Sequence, residues 1–159
     1  MQQRFAFGVN IGSGGSSGEE ILSLAEQAET LGYDSFWTGD HIAFHTPILD
    51  SLTLLAMVAA RTRRLIVGTA VYLLPLRHPT VAAKITASLD YLSGGRFIFG
   101  VGVGGENPKE FEACGVPVRE RGRRTDEGIE IVKKLWTESH VTYQGKYFQF
   151  SDVTLEPKP

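Results

Sequence analysis

Three things are scarce in this sequence: cysteine, long hydrophobic runs and an excess of charge of either sign. Cys114 is the only cysteine of the 159 residues, so no disulfide forms within the chain, and a reducing, cytoplasmic setting is expected. No apolar run approaches the ~20 residues of a membrane-spanning helix, and the N-terminus lacks a signal-peptide pattern. A formal net charge of −2 argues against nucleic acid as a partner, because nucleic-acid-binding surfaces carry a basic excess. We therefore expect a cytoplasmic protein that binds neither membranes nor nucleic acid.

What the sequence does contain is a regular alternation of short apolar strands and amphipathic helices. Ser17 and Glu20 form a capping box, which predicts a helix from about Gly18. Strands are predicted over 5–9, 33–38, 65–73 and 97–101, and the main helices over 18–31, 51–61, 80–92 and 119–137. Four such units predict a parallel sheet with helices packed outside it. A doubly wound sheet and half of a (β/α)₈ barrel both agree with this pattern, since a complete barrel needs about 250 residues.

Two smaller features complete the predicted fold. After the last helix, the segment VTYQGKYFQF alternates apolar and polar residues around Gln144 and Gly145, which predicts a hairpin. The whole chain, residues 1–159, is therefore interpreted as a single α/β domain with a hairpin near its C-terminal end. The first helix is expected to bury a face formed by Ile21, Leu24, Ala25, Ala28 and Leu31.

Chemically unusual residues follow three of the four predicted strands at their C-terminal ends, where both candidate folds place their binding sites. The second strand ends in Asp40 and His41, the third in LPLRHP with Arg77 and His78, and the fourth in GVGVGGEN. Each also has a purely structural interpretation. Asp40 would cap the next helix, the third segment would be a solvated loop before a helix that begins at Pro79, and the glycines would form tight turns. The residue types alone leave both interpretations open.

Three common kinds of site are disfavoured by the context of these residues. The glycine-rich segment GVGVGG resembles a dinucleotide fingerprint, but it follows the fourth strand instead of the first and no acidic residue ends a following strand ~20 positions later. His41 and His45 have i, i+4 spacing without the glutamate of a zinc-binding helix, so no metal site is predicted. The pattern G-x-S-x-G occurs as GGSSG at 14–18, where it is interpreted as part of a glycine- and serine-rich loop before the first helix and not as a nucleophile turn. The sequence therefore favours neither a nicotinamide, a zinc nor a serine-hydrolase site.

Taken together, five segments resemble the N-terminal half of the bacterial luciferase-like superfamily, which comprises flavin-dependent monooxygenases and oxidoreductases that use the deazaflavin coenzyme F-420. In family order the segments are GYDSFWTGDH, VGTAVYLLPLRHP, LSGGRFIFGVGVGGENPKEFEACGV, RGRRTDEGIEIVKKLWTE and YQGKYFQFSDVTLEPKP. The resemblance implies a (β/α)₈ TIM barrel of which this chain carries the first four units, a half-barrel truncated before the fifth strand.

The resemblance also implies a site for a flavin-type ring at the C-terminal ends of the strands. In this superfamily the third strand ends in a bulge, commonly with a non-prolyl cis peptide bond, that contacts the central ring of the cofactor. The matching position here is Ala70–Val71. Asp40 would hydrogen-bond the polar edge of the ring, and Gly102 and Gly104 would let the ring approach the backbone closely.

The catalytic residues and the coenzyme are implied in the same way. His41 would act as a proton donor or acceptor, and Glu106 would lie beside a small-molecule substrate. The luciferases carry an arginine after the fourth strand that holds the phosphate of FMN, whereas this sequence has Val103 and Gly104 there. Hydride transfer with coenzyme F-420 is therefore the predicted function, and an FMN-dependent monooxygenase, with Arg77 as a substitute for the missing arginine, is the alternative.

A half-barrel would leave its first and fourth strands as open edges. Unpaired parallel edges invite pairing with another chain. The sequence interpretation therefore predicts a homo-oligomer formed through these edges. It also leaves a second alternative, in which the chain is a non-catalytic half-barrel fragment that acts only through assembly.

Overall fold

The computed structural model describes residues 5–12 and 17–159 and shows an α/β fold with a parallel sheet. Its strands are β1 (Gly8–Ile11), β2 (Ser35–Thr38), β3 (Ile66–Thr69), β4 (Tyr72–Leu73), β5 (Phe97–Ile98), β6 (Val101–Gly102), β7 (Val141–Gln144) and β8 (Gln149–Val153). Strands β1, β2, β3 and β5 pair in that order in one parallel sheet, and β4 pairs in parallel with β6. Strands β7 and β8 form an antiparallel hairpin. The predicted parallel sheet and hairpin are confirmed.

Side-chain hydrogen bonds cap the first three helices, and the last long helix, predicted from residue 119, begins at Arg121 without one. Ser17 and Glu20 form the capping box of the first helix, Asp50 caps the second, and His78 caps the third, whose first residue is Pro79. The helices are α1 (Gly18–Thr30), α2 (Ser51–Arg61), α3 (Pro79–Ser93), α4 (Pro108–Ala113) and α5 (Arg121–Thr137), with single 3₁₀ turns at Leu74–Leu76 and Val118–Glu120. No helix in the described part of the chain is long and apolar enough to cross a membrane.

The predicted face of α1 is wrong in two of its five positions. Leu24 and Leu31 are 41% and 77% exposed, and Leu22 is buried in their place beside the two predicted alanines. The buried face is thus built from Leu22 and small side chains, which let α1 lie close against its neighbours. Strand β1 also begins three residues later than predicted, so Phe5 and Phe7 lie outside its pairing and are exposed.

The main hydrophobic core lies between the parallel sheet and helices α1, α2 and α3. Phe36, Leu55 and Val67 have no exposed surface there. A second cluster, which includes Ile131 and Leu135, joins α3, α5 and the hairpin. Burial of these side chains is the principal source of stability, at about 25 cal/mol per Å² of apolar surface removed from water, and it holds the strand ends in fixed positions for the site.

The side chain of Glu29, near the end of α1, holds the start of β3, which lies at the other end of the sheet from the C-terminal strand ends. Glu29 accepts hydrogen bonds from the backbone amides of Arg63, Arg64 and Leu65 at distances between 2.6 and 3.2 Å. Burial opposes ionisation of this side chain, but the hydrogen bonds from these amides outweigh it and hold the pKa of Glu29 below its ordinary value. The stability that Glu29 contributes is therefore lost as the carboxylate becomes protonated.

Candidate functional site

Asp40 lies directly after β2 and is an anchor for two other elements. Its side chain is fully buried, and its Oδ1 accepts hydrogen bonds from Ser51 Oγ at 3.0 Å and Arg77 Nη2 at 2.8 Å. Its Oδ2 accepts from the Leu73 amide at 2.9 Å and from Arg77 Nη1 at 2.5 Å. An ionised carboxylate has about four acceptor positions, and four donors already face this one. A ligand that hydrogen-bonds Asp40 would have to compete with these partners.

Arg77 explains why a cation follows the buried third strand. Its guanidinium group is 16% exposed, pairs with Asp40, lies 3.4 Å from Asp50 Oδ2 and stacks over the Tyr72 ring at 4.4 Å from the centroid. Burial on its own would lower the pKa of Arg77, but the Asp40 carboxylate outweighs it and holds the pKa above its ordinary value. The Arg77 guanidinium group is thus already paired with side chains of the fold. The neighbouring His78 caps α3 and packs edge-on against Phe148.

The predicted cis peptide bond at Ala70–Val71 is present. It separates β3 from β4, so the third predicted strand is interrupted where a continuous strand over 65–73 was expected. The fourth strand is interrupted opposite this point, and its Gly100 and Gly102 contact the third strand: a Cβ on Gly100 would collide with the Thr69 carbonyl oxygen, and a Cβ on Gly102 with Val71 Cγ2. The two glycines are therefore required by the close approach of the two strand ends.

His41 is held on three sides. Its Nδ1 lies 3.2 Å from both carboxylate oxygens of Glu110, its ring stacks on Phe44 with a centroid distance of 3.9 Å, and its Nε2 lies 3.9 Å from Glu106 Oε2. The Glu110 side chain is completely buried, whereas that of Glu106 is 78% exposed. One carboxylate therefore fixes the imidazole from within the fold, and the other faces solvent on the opposite side of the ring.

A cavity of about 400 Å³ brings together the predicted site residues. Its lining consists of Gly39, Asp40, His41, Ala70, Val71, Leu73, Val103, Gly104 and Glu106. Of the seven predicted residues only Gly102 is absent from this lining, because it faces Val71. The roles assigned to these residues toward a cofactor or substrate stay predictions.

The lining suits a flat, neutral ring better than a charged tail. Glycine, alanine and valine leave the backbone of several strand ends open to close approach. None of the lining residues in the described part of the chain is lysine or arginine, and Val103, in the region where the resemblance implies a phosphate-binding arginine, is 43% exposed. Outside the lining, Arg121 Nε lies 3.1 Å from the position that a Cβ on Gly105 would take. Arg121 is therefore a cation that lies close to this strand end, outside the cavity lining.

Glu110 is the residue of this site that sequence reasoning missed. The segment GENPKEF places Glu110 three residues after Asn107, and this spacing indicates an ordinary capping glutamate in the first turn of a helix. In the structure Asn107 does cap α4, but the side chain of Glu110 extends instead to His41 and accepts from the Ile42 amide at 3.1 Å. Only the apolar residue that follows, the fully buried Phe111, hinted that this turn of helix faces the interior.

The chain matches known proteins along nearly its whole length. The family model described as luciferase-like monooxygenase matches residues 4–159. The chain is 36% identical to 4-hydroxyprotoasukamycin monooxygenase of Streptomyces nodosus subsp. asukaensis, over 87% of this chain and 38% of that protein. It is also 36% identical to the F420-dependent glucose-6-phosphate dehydrogenase of Kineococcus radiotolerans, over 88% of this chain and 43% of that protein.

A solved structure gives the same result. The monooxygenase RslO1 from Streptomyces bottropensis superposes with a TM-score of 0.90 at 37% identity and covers 97% of this chain and 50% of its own. The chain thus spans half or less of the length of these three relatives. The parallel sheet, the order of the strand–helix units and the family model agree with one another, and the chain belongs to the luciferase-like monooxygenase family.

Proposed function

We propose that this chain carries the N-terminal part of an oxidoreductase site that uses coenzyme F-420 and a small organic substrate. The observation that carries the proposal is the cavity of about 400 Å³ at the strand ends, with His41 in its lining and, among the described residues, no lysine or arginine there. The similarity to an F420-dependent dehydrogenase supports it. The coenzyme, when bound, would supply hydride transfer.

Each residue of the lining has a proposed task in this function. The Ala70–Val71 backbone would contact the face of the ring, and Gly104, whose φ is +62°, would keep the opposite strand end clear of it. Asp40 would act indirectly, because its hydrogen bonds hold Leu73 and Arg77 in place. His41 would hold or accept a proton at Nε2, and Glu106 would contact the substrate from the solvent side.

An FMN-dependent monooxygenase is the second candidate. It is favoured by the similarity to two monooxygenases and by Arg121, which lies beside Gly105 and donates from Nη1 to the Val118 carbonyl at 3.1 Å. A phosphate near Gly105 would find a charged donor in this side chain. FMN would then use the same cavity for its ring, with Arg121 as a substitute for the arginine that the luciferases carry after the fourth strand.

Parallel titrations of the 159-residue chain with F-420 and with FMN, followed by fluorescence polarisation, test the proposal. Saturable binding with preference for F-420 is expected. Val103→Arg should then tighten FMN about tenfold or more, because a charge-assisted hydrogen bond contributes about 1.5–3 kcal/mol. Val81→Arg is the matched control, since Val81 is similarly exposed but lies on α3 away from the cavity. Preference for FMN by the unmodified chain would support the second candidate, and binding of neither coenzyme would contradict both.

We also propose that copies of the chain associate through the sheet edges. Strands β1 and β5 are the outer strands of the parallel sheet, and Ile98 on the edge strand β5 is 44% exposed. Edge pairing would cover unpaired backbone groups and apolar surface together. Sedimentation velocity over a range of concentrations should show a reversible dimer, and Ile98→Lys should shift it toward monomer. A single monomeric species at all concentrations would contradict this proposal.

A further inference from the structure

Glu110 has a completely buried side chain, and among the described residues its oxygens contact the Ile42 amide and His41 Nδ1. Oε2 accepts from the Ile42 amide at 3.1 Å, and both oxygens lie 3.2 Å from His41 Nδ1. A buried carboxylate without donors would be costly to desolvate. Since Ile42 supplies a single N–H, the remaining acceptor capacity is directed at the imidazole nitrogen.

The segment that carries His41 is attached to α4 at further points. Asn107 Nδ2 donates to the Ala43 carbonyl at 2.8 Å, and the Phe44 ring stacks on His41 with an interplanar angle of 17°. These contacts fix the plane of the imidazole. With Nδ1 turned toward Glu110, the other ring nitrogen, Nε2, is directed to the side where Glu106 and the cavity lie.

We infer that Glu110 is a positioning residue that keeps the proton of neutral His41 on Nδ1 and leaves the lone pair of Nε2 facing the cavity. A neutral histidine has one donor and one acceptor nitrogen, and the partner of one nitrogen decides the state of the other. A carboxylate can only accept, so the nitrogen beside it must carry the hydrogen. The imidazole then presents a base to the cavity.

The role of Nε2 as a base toward a substrate rests on the proposed function. In oxidation of a hydroxyl substrate, Nε2 would take up the hydroxyl proton while the carbon-bound hydrogen leaves as hydride to the coenzyme, so that charge and atoms balance. The opposite tautomer would present an N–H to the cavity and could not accept that proton. The tautomer itself, however, is a property of the chain without any ligand.

Long-range ¹H–¹⁵N correlation spectra of the uniformly labelled chain measure the tautomer directly. In spectra recorded at pH 8.5, the protonated and unprotonated ring nitrogens of a neutral imidazole resonate in separate regions. The chain has four histidines, so His41→Gln identifies the signal of interest. His41 is expected to show the hydrogen on Nδ1, contrary to the preference of free histidine for Nε2.

Glu110→Gln should reverse this assignment. The carboxamide oxygen would accept from the Ile42 amide, and its NH₂ group would then donate to His41 Nδ1, so the hydrogen moves to Nε2. Glu106→Gln is the matched control: the same change four residues earlier, on an exposed side chain 3.9 Å from Nε2, should leave the tautomer as it is.

Two results would overturn the inference. One is an Nε2–H tautomer of His41 in the unmodified chain, a result that does not require Glu110→Gln to fold. The other is an unchanged Nδ1–H tautomer in folded Glu110→Gln. Neither result depends on coenzyme binding, so failure of the F-420 titration and failure of this inference are separate outcomes.

Discussion

The buried pair between Asp40 and Arg77 gives a prediction whose size follows from the structure. In Asp40→Asn, an NH₂ group replaces an oxygen that faces donors, and the Arg77 guanidinium, 16% exposed, keeps only Asp50 at 3.4 Å as a charged partner. Loss of one partner of a buried ion pair costs about 3–5 kcal/mol, because the other charge is left without compensation. Domains of this size are stable by about 5–15 kcal/mol, so the change should be large in any unfolding assay.

Asp50→Asn is the matched control for the same cation. The Asp50 side chain is 50% exposed, and asparagine is as good a helix N-cap as aspartate. Exposed ion pairs contribute about 0–1 kcal/mol, so this variant should remain close to the unmodified chain. Urea unfolding followed by circular dichroism gives both free energies of unfolding by linear extrapolation.

Equal losses in the two variants would refute the reasoning. Asp40 would then not be the internal anchor of β4, and its carboxylate would be free to serve the cofactor as the sequence prediction has it. A further comparison identifies the cause of the loss. Arg77→Met in the Asp40→Asn background should cost less than the sum of the two single changes, since it removes the uncompensated cation.

Three more predictions concern separate parts of the fold. Gly102→Ala should lower the free energy of unfolding by about 1–3 kcal/mol, because its methyl group would collide with Val71. Gly12→Ala is the control: no atom lies within 4 Å of the position its Cβ would take, so its free energy of unfolding in the same urea assay should be nearly unchanged. Burial raises the pKa of Tyr72 from 10.0 to about 12, so the fold favours the neutral phenol. The stability that this preference contributes is complete below pH 10 and is lost between about pH 10 and 12. Tyr72→Phe should therefore remove this part of the alkaline destabilisation measured by circular dichroism. Glu29, whose pKa is lowered from 4.5, stabilises the fold above about pH 4.5 and ceases to do so as the pH falls through its lowered pKa. Glu29→Gln should therefore flatten the acid part of the curve of unfolding free energy against pH. An unchanged curve would contradict the role of Glu29 at the start of β3.

Local signals were sufficient for the helices but not for every strand. The start of α1 follows from the Ser17–Glu20 capping box, whereas α2 is capped by Asp50 and not by Asp40. Such signals act between residues a few positions apart, so they are legible in the sequence. The face of α1 is not, because Leu22 and Leu24 are equally apolar and only packing against the sheet decides which one is buried.

The candidate site was predictable in position and not in its pairings. The ends of parallel strands meet at one edge of the sheet, which is why most of the predicted residues share one cavity. The partners of Asp40 and His41 are Arg77 and Glu110, at sequence separations of 37 and 69 residues. Contacts at such separations depend on how the strand ends cross in space, and no spacing rule in the sequence encodes them.

The contact between the interrupted ends of the third and fourth strands also determines which amino-acid substitutions this chain tolerates there. Because a Cβ on Gly102 would collide with the Val71 side chain, the residue allowed at position 102 depends on the residue at position 71. Substitutions in the two segments should therefore show strong epistasis, and a larger side chain at 102 should become acceptable only when Val71 is made smaller. A library that varies one strand end alone would yield fewer folded variants than a library of equal size that varies both together.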